Sequence, residues 1–284
     1  MLPARTTSPP IQLIGIDVDG TLLDSRGQLP AENLRAIREA VALGIHIAIV
    51  TGRSYFFATP AVEPLPDPLT LVVHNGAIAR TRGGDTLMRR LLPRDLALDV
   101  LAATTSWRDA AVVIFDRPLA GQMVYDRLDW EQPNRSRFRD RNREIIEQVA
   151  SLEDAITEDP IQVSYNGGVS AMRQVLETLS EHPAADLLSV SLTEYEHRDF
   201  SLVDICAGGT TKGTGLAAVA SRLGIERAAV MAVGDNYNDR EMLEWAGIGV
   251  VMANAAPGLH APGLEQTTSN DDAGLAAAIR RFAL

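Results

Sequence analysis

"IQLIGIDVDGTLLDS", residues 11–25, decides how the chain is read. Residues 11–17 form an apolar run of the kind that makes a strand covered on both faces. The run ends on Asp17, with Asp19 and Gly20 directly behind. A bare carboxylate in such a place is costly unless something offsets its charge. The pair therefore faces either water or a cation. A calcium loop of the EF-hand type needs Gly at its sixth position and Glu at its twelfth. Counted from Asp17, those places hold Leu22 and Gln28, so that reading fails. A plain Asp-Gly turn accounts for Asp19 and Gly20 but leaves Asp17 unexplained.

Working outward, strand and helix patterns alternate. "PAENLRAIREAVALGI" (30–45) places Leu34, Ile37 and Val41 at helical spacing and closes on Gly44. "IHIAIV" (45–50) and "LTLVVH" (69–74) read as further buried strands. The pattern returns near the C-terminal end. A helix is expected over 214–225, a strand over 228–233, a helix over 239–247 and a strand over 248–252. A last helix over 270–282 takes Asn270 as its N-cap. Strand–helix–strand order of this kind implies a Rossmann-like parallel sheet. Residues 85–205 read differently, as α+β. Helices are expected over 93–105, 141–150 and 170–182, and hairpin-forming strands over 109–116 and 121–127, joined by the turn residues between them, and over 161–166, 187–195 and 199–207. Hairpins make that second sheet antiparallel. The expected organisation is a loose tail over 1–10, a core from 11–84 and 206–284, and an inserted cap over 85–205.

Composition narrows the function. The net charge of −11 argues against a general nucleic-acid binder, which needs a basic surface for phosphates. No apolar run approaches the roughly 20 residues of a membrane span. "MLPARTTSPP" lacks the apolar segment of a secretory signal. The one cysteine, Cys206, forms no internal disulfide, and no Cys/His cluster reads as zinc; a cytoplasmic home fits that usage.

Candidate chemistry gathers at strand ends. Asp17 closes the first strand, Thr51 the second and Asn75 the third, and Asp235 follows the strand at 228–233. In open α/β sheets those ends form the ligand crevice. "GDNYND" (234–239) adds Asn238 and Asp239, and Asp235 and Asp239 lie four apart. Such carboxylates repel one another and must take up protons or share a cation. An all-oxygen set without imidazole or thiolate favours Mg²⁺. Lys212, in "TTKGTG" (210–215), starts a helix, and an ammonium there makes a ready phosphate site. Read alone it is more simply a solvated surface charge. In "TGRS" (51–54) the Thr51 hydroxyl and Gly52 amide can donate to an oxyanion. The segment "RSRFRDRNR" (135–143) places Arg135, Arg139 and Arg143 on one face if helical. A solvated surface explains it most simply; a second grip for substrate anion is the sharper alternative.

"DVDGT", "TGR", "KG" and "GDNYND" stand in the order of the four motifs of the haloacid dehalogenase superfamily. The chain resembles its Cof-type (subclass IIB) phosphatases, and "HNGA" (74–77) and "TTSNDDAGLAAAI" (267–279) are similar to that subfamily's secondary signatures. The resemblance implies a Mg²⁺-dependent phosphatase acting on a small phosphorylated metabolite such as a sugar phosphate. Asp17 is then the nucleophile that forms an aspartyl-phosphate, and Asp19 the general acid and base. The metal is held by Asp17, the Asp19 carbonyl and Asp235, with Asn75, Asn238 and Asp239 in support. Thr51, Gly52, Gly20 and Lys212 hold phosphoryl oxygens. A phosphomutase sharing the intermediate and a non-catalytic phosphometabolite sensor are the alternatives, and the intact Asp17, Asp19, Lys212 and Asp235 argue against the sensor.

Overall fold

A computed structural model describes residues 9–131, 135, 139–140, 143–195 and 199–284. The expected tail lies outside the described residues except for its last two positions. The chain divides into two compact units, one ending at Arg89 and resuming at Thr211, the other spanning Arg90–Thr210.

The first unit opens with β1 (Leu13–Ile16), α1 (Ala31–Ala42), β2 (His46–Val50), α2 (Tyr55–Val62), β3 (Leu69–Val73), β4 (Ile78–Thr81) and β5 (Thr86–Arg89). The second unit then builds α3 (Arg94–Ala103), β6 (Ala111–Ile114), β7 (Met123–Tyr125), β8 (Ile146–Gln148), α4 (Leu152–Ala155), β9 (Gln162–Gly167), α5 (Val169–Ser180), β10 (Leu188–Tyr195) and β11 (Phe200–Ala207). The chain returns to the first unit as α6 (Lys212–Leu223), β12 (Val230–Gly234), α7 (Arg240–Trp245), β13 (Ile248–Val251), β14 (Glu265–Gln266) and α8 (Gly274–Phe282).

In the first unit the described strands order as β14-β13-β12-β1-β2-β3-β4-β5. Pairing is parallel from β14 to β3 and antiparallel through the β4–β5 hairpin. β1 sits at the centre, with Leu13, Ile14 and Ile16 fully buried. Each such side chain contributes about 1.5–3 kcal/mol of burial. One sheet face, with Leu13, Ala48, Val50 and Val72, packs on Leu216, Val219 and Ala220 of α6. Helix α1 turns Ala36, Ile37 and Ala40 inward, with Asn33, while the expected core positions Leu34 and Val41 lie at the margin. Gly44 follows α1 in the left-handed region expected of a helix-ending glycine.

In the second unit the order is β10-β11-β9-β6-β7-β8. All described pairs are antiparallel except β7–β8, which is parallel. Val163 and Tyr165 alternate into a core with Leu96, Val100 and Val175 of the helices, while Gln162 and Ser164 take the other face and donate to Asp204.

Two expectations are corrected. A helix over 141–150 is not formed among its described residues: 143–145 turn and β8 follows, because pairing with β7 and burial of Ile145 override local helical preference. Asn270 is not a helix N-cap. Residues Asn270–Asp272 form a 3-10 turn, Ala273 is left-handed at φ 53°, and α8 begins only at Gly274. The Asn270 side chain is committed elsewhere, donating to the Leu23 carbonyl.

Candidate active site

The loops after β12, β1, β2 and β3 lie side by side because those strands are neighbours in parallel register. Backbone bonds extend the register beyond the strands. Asp17 N–H donates to the Val233 carbonyl (3.1 Å), Thr51 N–H to Val72 (2.9 Å), and Asn75 N–H to Thr51 (3.1 Å). Residues far apart in the chain are thus carried to one crest.

Helix α6 brings the cation. Thr211 caps it, its hydroxyl accepting from Thr214 N–H and its own N–H donating to the Thr214 hydroxyl. Lys212 is buried, and its Nζ donates to Asp17 Oδ1 and to Asp239 Oδ1, both at 2.6 Å. The alternative of a solvated surface lysine is thereby excluded. Asp239 Oδ2 accepts the N–H groups of Asp235 and Asn236, both at 2.9 Å, which fixes the turn before α7. Asp235 Oδ1 accepts from the Thr21 hydroxyl at 2.9 Å. Asn238 Nδ2 donates to Asn75 Oδ1 at 3.0 Å, tying the loop after β12 to the loop after β3.

Carboxylate oxygens of Asp17, Asp235 and Asp239 lie within 4.8 Å of one another. A cation at about 2 Å from each ligand bridges oxygens up to about 4 Å apart, so small side-chain movements close the cluster on it. Asp17 Oδ2 and Asp235 Oδ2 have no hydrogen-bond donor among the described residues. Gly20, at φ 89°, lets the loop close on this cluster: a Cβ there would stand 2.2 Å from Asp235 Oδ2. Buried carboxylates with bare oxygens, and no nitrogen or sulfur ligand, fit a hard divalent ion.

Burial, opposed in part by Lys212, pushes Asp17 up to about 7. Burial also raises Asp235, with the charges of Asp17 and Asp239 adding to it. For Lys212 burial favours the neutral amine, but Asp17 and Asp239 outweigh it and hold the ammonium above its ordinary range. Protons are thus drawn onto carboxylates, not taken from the lysine.

Asp19 stands apart from the buried cluster. Its side chain is half exposed and is held by Arg53, Nε to Oδ2 at 2.8 Å and Nη2 to Oδ1 at 2.5 Å. Thr51 is buried, and its hydroxyl accepts Arg53 N–H at 3.2 Å. Gly52 leaves room for Asn75, whose Oδ1 would stand 3.0 Å from a Cβ at that position.

Residues 14–279 match the haloacid dehalogenase-like hydrolase family. The chain belongs to that family. Phosphatase YwpJ of Bacillus subtilis (strain 168) is 30% identical over 293 residues, covering 94% of this chain and 98% of its own. The 5-amino-6-(5-phospho-D-ribitylamino)uracil phosphatase YcsE of the same strain is 28% identical over 282 residues, 96% of each chain. Among solved structures, BT1666 of Bacteroides thetaiotaomicron, named among phosphatases of the haloalkanoate (HAD) superfamily, superposes with a TM-score of 0.78 at 25% identity, covering 99% of this chain and 98% of that one.

In this haloacid dehalogenase-like hydrolase, Arg53 and Thr21 are site contacts that sequence reasoning did not assign. Both lie inside quoted motifs, and only the register of β1 on β2 and β12 brings them to Asp19 and Asp235. The arginine-rich segment is corrected. Arg135 is buried, donating to Asn166 Oδ1 and to the carbonyls of Asp109, Asp129 and Asn166, while Arg139 and Arg143 are exposed. The three therefore share no solvated face; residues 136–138 and 141–142 lie outside the described residues. Arg240, at the start of α7, donates to the Gly258 carbonyl at 3.0 Å and stays on the surface. Among the described residues no helix is long and apolar enough to cross a membrane.

Proposed function

We propose that this haloacid dehalogenase-like phosphatase is Mg²⁺-dependent and hydrolyses small phosphorylated metabolites, sugar or polyol phosphates among them, through a phosphoryl group carried on Asp17. The arrangement that supports this most is the buried Lys212 ammonium shared by Asp17 and Asp239, with Asp235 beside them. Asp17, Asp235 and the Asp19 carbonyl would hold the ion, and Mg²⁺ there would supply a Lewis acid that neutralises phosphoryl charge. A relative named for a phosphorylated ribitylamino compound favours a polyhydroxylated substrate.

Asp17 and a phosphate ester are both anions, so attack requires positive charge around them. Lys212, the start of α6, the Thr51 hydroxyl and the Gly52 amide receive the phosphoryl oxygens. One Asp17 oxygen bonds to phosphorus as the ester P–O bond breaks. Protonated Asp19, keeping one of its two Arg53 contacts, gives the proton on its other oxygen to the departing oxygen, and a neutral alcohol leaves. The Asp19 carboxylate then takes a proton from water, and that water oxygen bonds to phosphorus. The Asp17 O–P bond breaks, releasing inorganic phosphate and restoring the Asp17 carboxylate.

Asp17→Asn tests the reading. Turnover of a panel of phosphate esters is expected to fall to background while the variant still melts cooperatively. Turnover retained in a folded Asp17→Asn protein would refute the nucleophile.

A further inference from the structure

We infer that Asn254 is a positioning residue that fixes the spacing between the loop carrying Asp17 to Thr21 and the loop carrying Asp235, and so sets how well the carboxylates suit Mg²⁺ rather than a larger cation. The inference rests on the magnesium reading above and adds a residue outside all four motifs. Asn254 lies beyond β13, exposed, yet its side chain makes two directed bonds. Nδ2 donates to the Gly20 carbonyl at 2.9 Å, and Oδ1 accepts Asn270 N–H at 2.9 Å.

The backbone on either side of Asn254 is bonded to the other loop. Met252 N–H donates to the Gly234 carbonyl (3.1 Å) and Ala256 N–H to the Asp235 carbonyl (2.8 Å). Thr21, the residue after Gly20, closes the circuit through its hydroxyl bond to Asp235 Oδ1. The result is a ring: Gly20 carbonyl, Asn254 side chain, Ala256 amide, Asp235 carbonyl, Asp235 carboxylate, Thr21 hydroxyl and back to Gly20. Both candidate ligand loops are members of it. Asn270 anchors the ring from outside by donating to the Leu23 carbonyl at 3.0 Å. Within the ring the Gly20 backbone passes so near Asp235 Oδ2 that a Cβ there would stand 2.2 Å from it, so a small opening changes the distances among the ligand oxygens directly.

Mg²⁺ demands near-ideal octahedral geometry at short bonds, whereas Ca²⁺ tolerates longer and irregular ones. Loosening the ring therefore harms Mg²⁺ more than Ca²⁺. A side chain that merely stabilised the fold would leave that ratio alone. The experiment is calorimetric titration of the full chain with Mg²⁺ alone and with Ca²⁺ alone, for wild type and Asn254→Ala. The Mg²⁺ Kd is expected to rise about tenfold, as is typical when a group supporting metal ligands is removed. The Ca²⁺ Kd should rise less, shifting preference toward Ca²⁺. If the alanine variant does not fold, Asn254→Ser takes its place, being polar but too short to reach Gly20. Wild type that binds no Mg²⁺ overturns the magnesium reading. Wild type that binds Mg²⁺, beside a folded variant whose Mg²⁺ to Ca²⁺ ratio does not move toward Ca²⁺, overturns the role of Asn254 alone.

Discussion

Asp19 and Arg53 show what single residues contribute and what spacing conceals. The two are 34 positions apart, and only the adjacency of β1 and β2 brings the guanidinium onto the carboxylate. Asp17, Asp235 and Lys212 were legible because each ends a strand or opens a helix, where polar groups in an apolar context need a reason. The sequence expectation gives Asp239 a supporting place at the metal; in the fold its carboxylate holds Lys212 and the turn before α7. A carboxylic acid that protonates a leaving group matters most when that group is a poor one. Arg53→Ala is therefore expected to lower kcat by about 10²-fold on alkyl phosphates and much less on p-nitrophenyl phosphate, whose leaving group needs no proton. Equal losses on both esters would remove Arg53 from the orientation of Asp19.

The loop between β3 and β4 is the element under most visible constraint. His74, Asn75 and Gly76 all adopt positive φ, at 50°, 52° and 101°. Two non-glycine residues in that region persist only where surroundings over-determine them. Gly76 lies against the start of α6, and a Cβ there would stand 2.0 Å from the Thr211 carbonyl. Gly76→Ala is expected to destabilise the chain by about 1–3 kcal/mol in urea unfolding and to slow turnover by displacing Lys212. An unchanged midpoint would show the loop to be freely deformable. Strands were readable at this scale because buried parallel strands are apolar throughout. The stretch 141–150 misled because Ile145 and Ile146 fit a helical stripe as well as a short strand, and only β7 as a partner separates the two. The turn at 270–272 misled because Asn270 looks like a cap, whereas its side chain is spent on the loop after β1.

At the scale of the molecule, the switch from buried parallel strands to alternating hairpin strands and back again made two sheets legible in the sequence. The β4–β5 hairpin escaped it, since four-residue strands carry little periodicity. Charge at the site also has a whole-molecule consequence. Asp17 and Asp235 titrate higher in the folded chain than ordinary carboxylates do. Their contribution to stability is therefore complete below the ordinary carboxylate range and is lost as pH rises, through about 7 for Asp17. Mg²⁺ must displace those protons, so it binds better once they have left. The rise in Tm on adding Mg²⁺ is expected to be larger at pH 8 than at pH 6, and a rise no larger at pH 8 would contradict the carboxylate site. The most direct test of the chemistry is acid quench of a single turnover with unlabelled phosphate ester and Mg²⁺, followed by reduction of the acyl phosphate with tritiated borohydride and peptide mapping. The expected result is label on the peptide bearing Asp17, absent in Asp17→Asn and absent with chelator. Label on another residue, or full turnover with no labelled protein at any time, would contradict it.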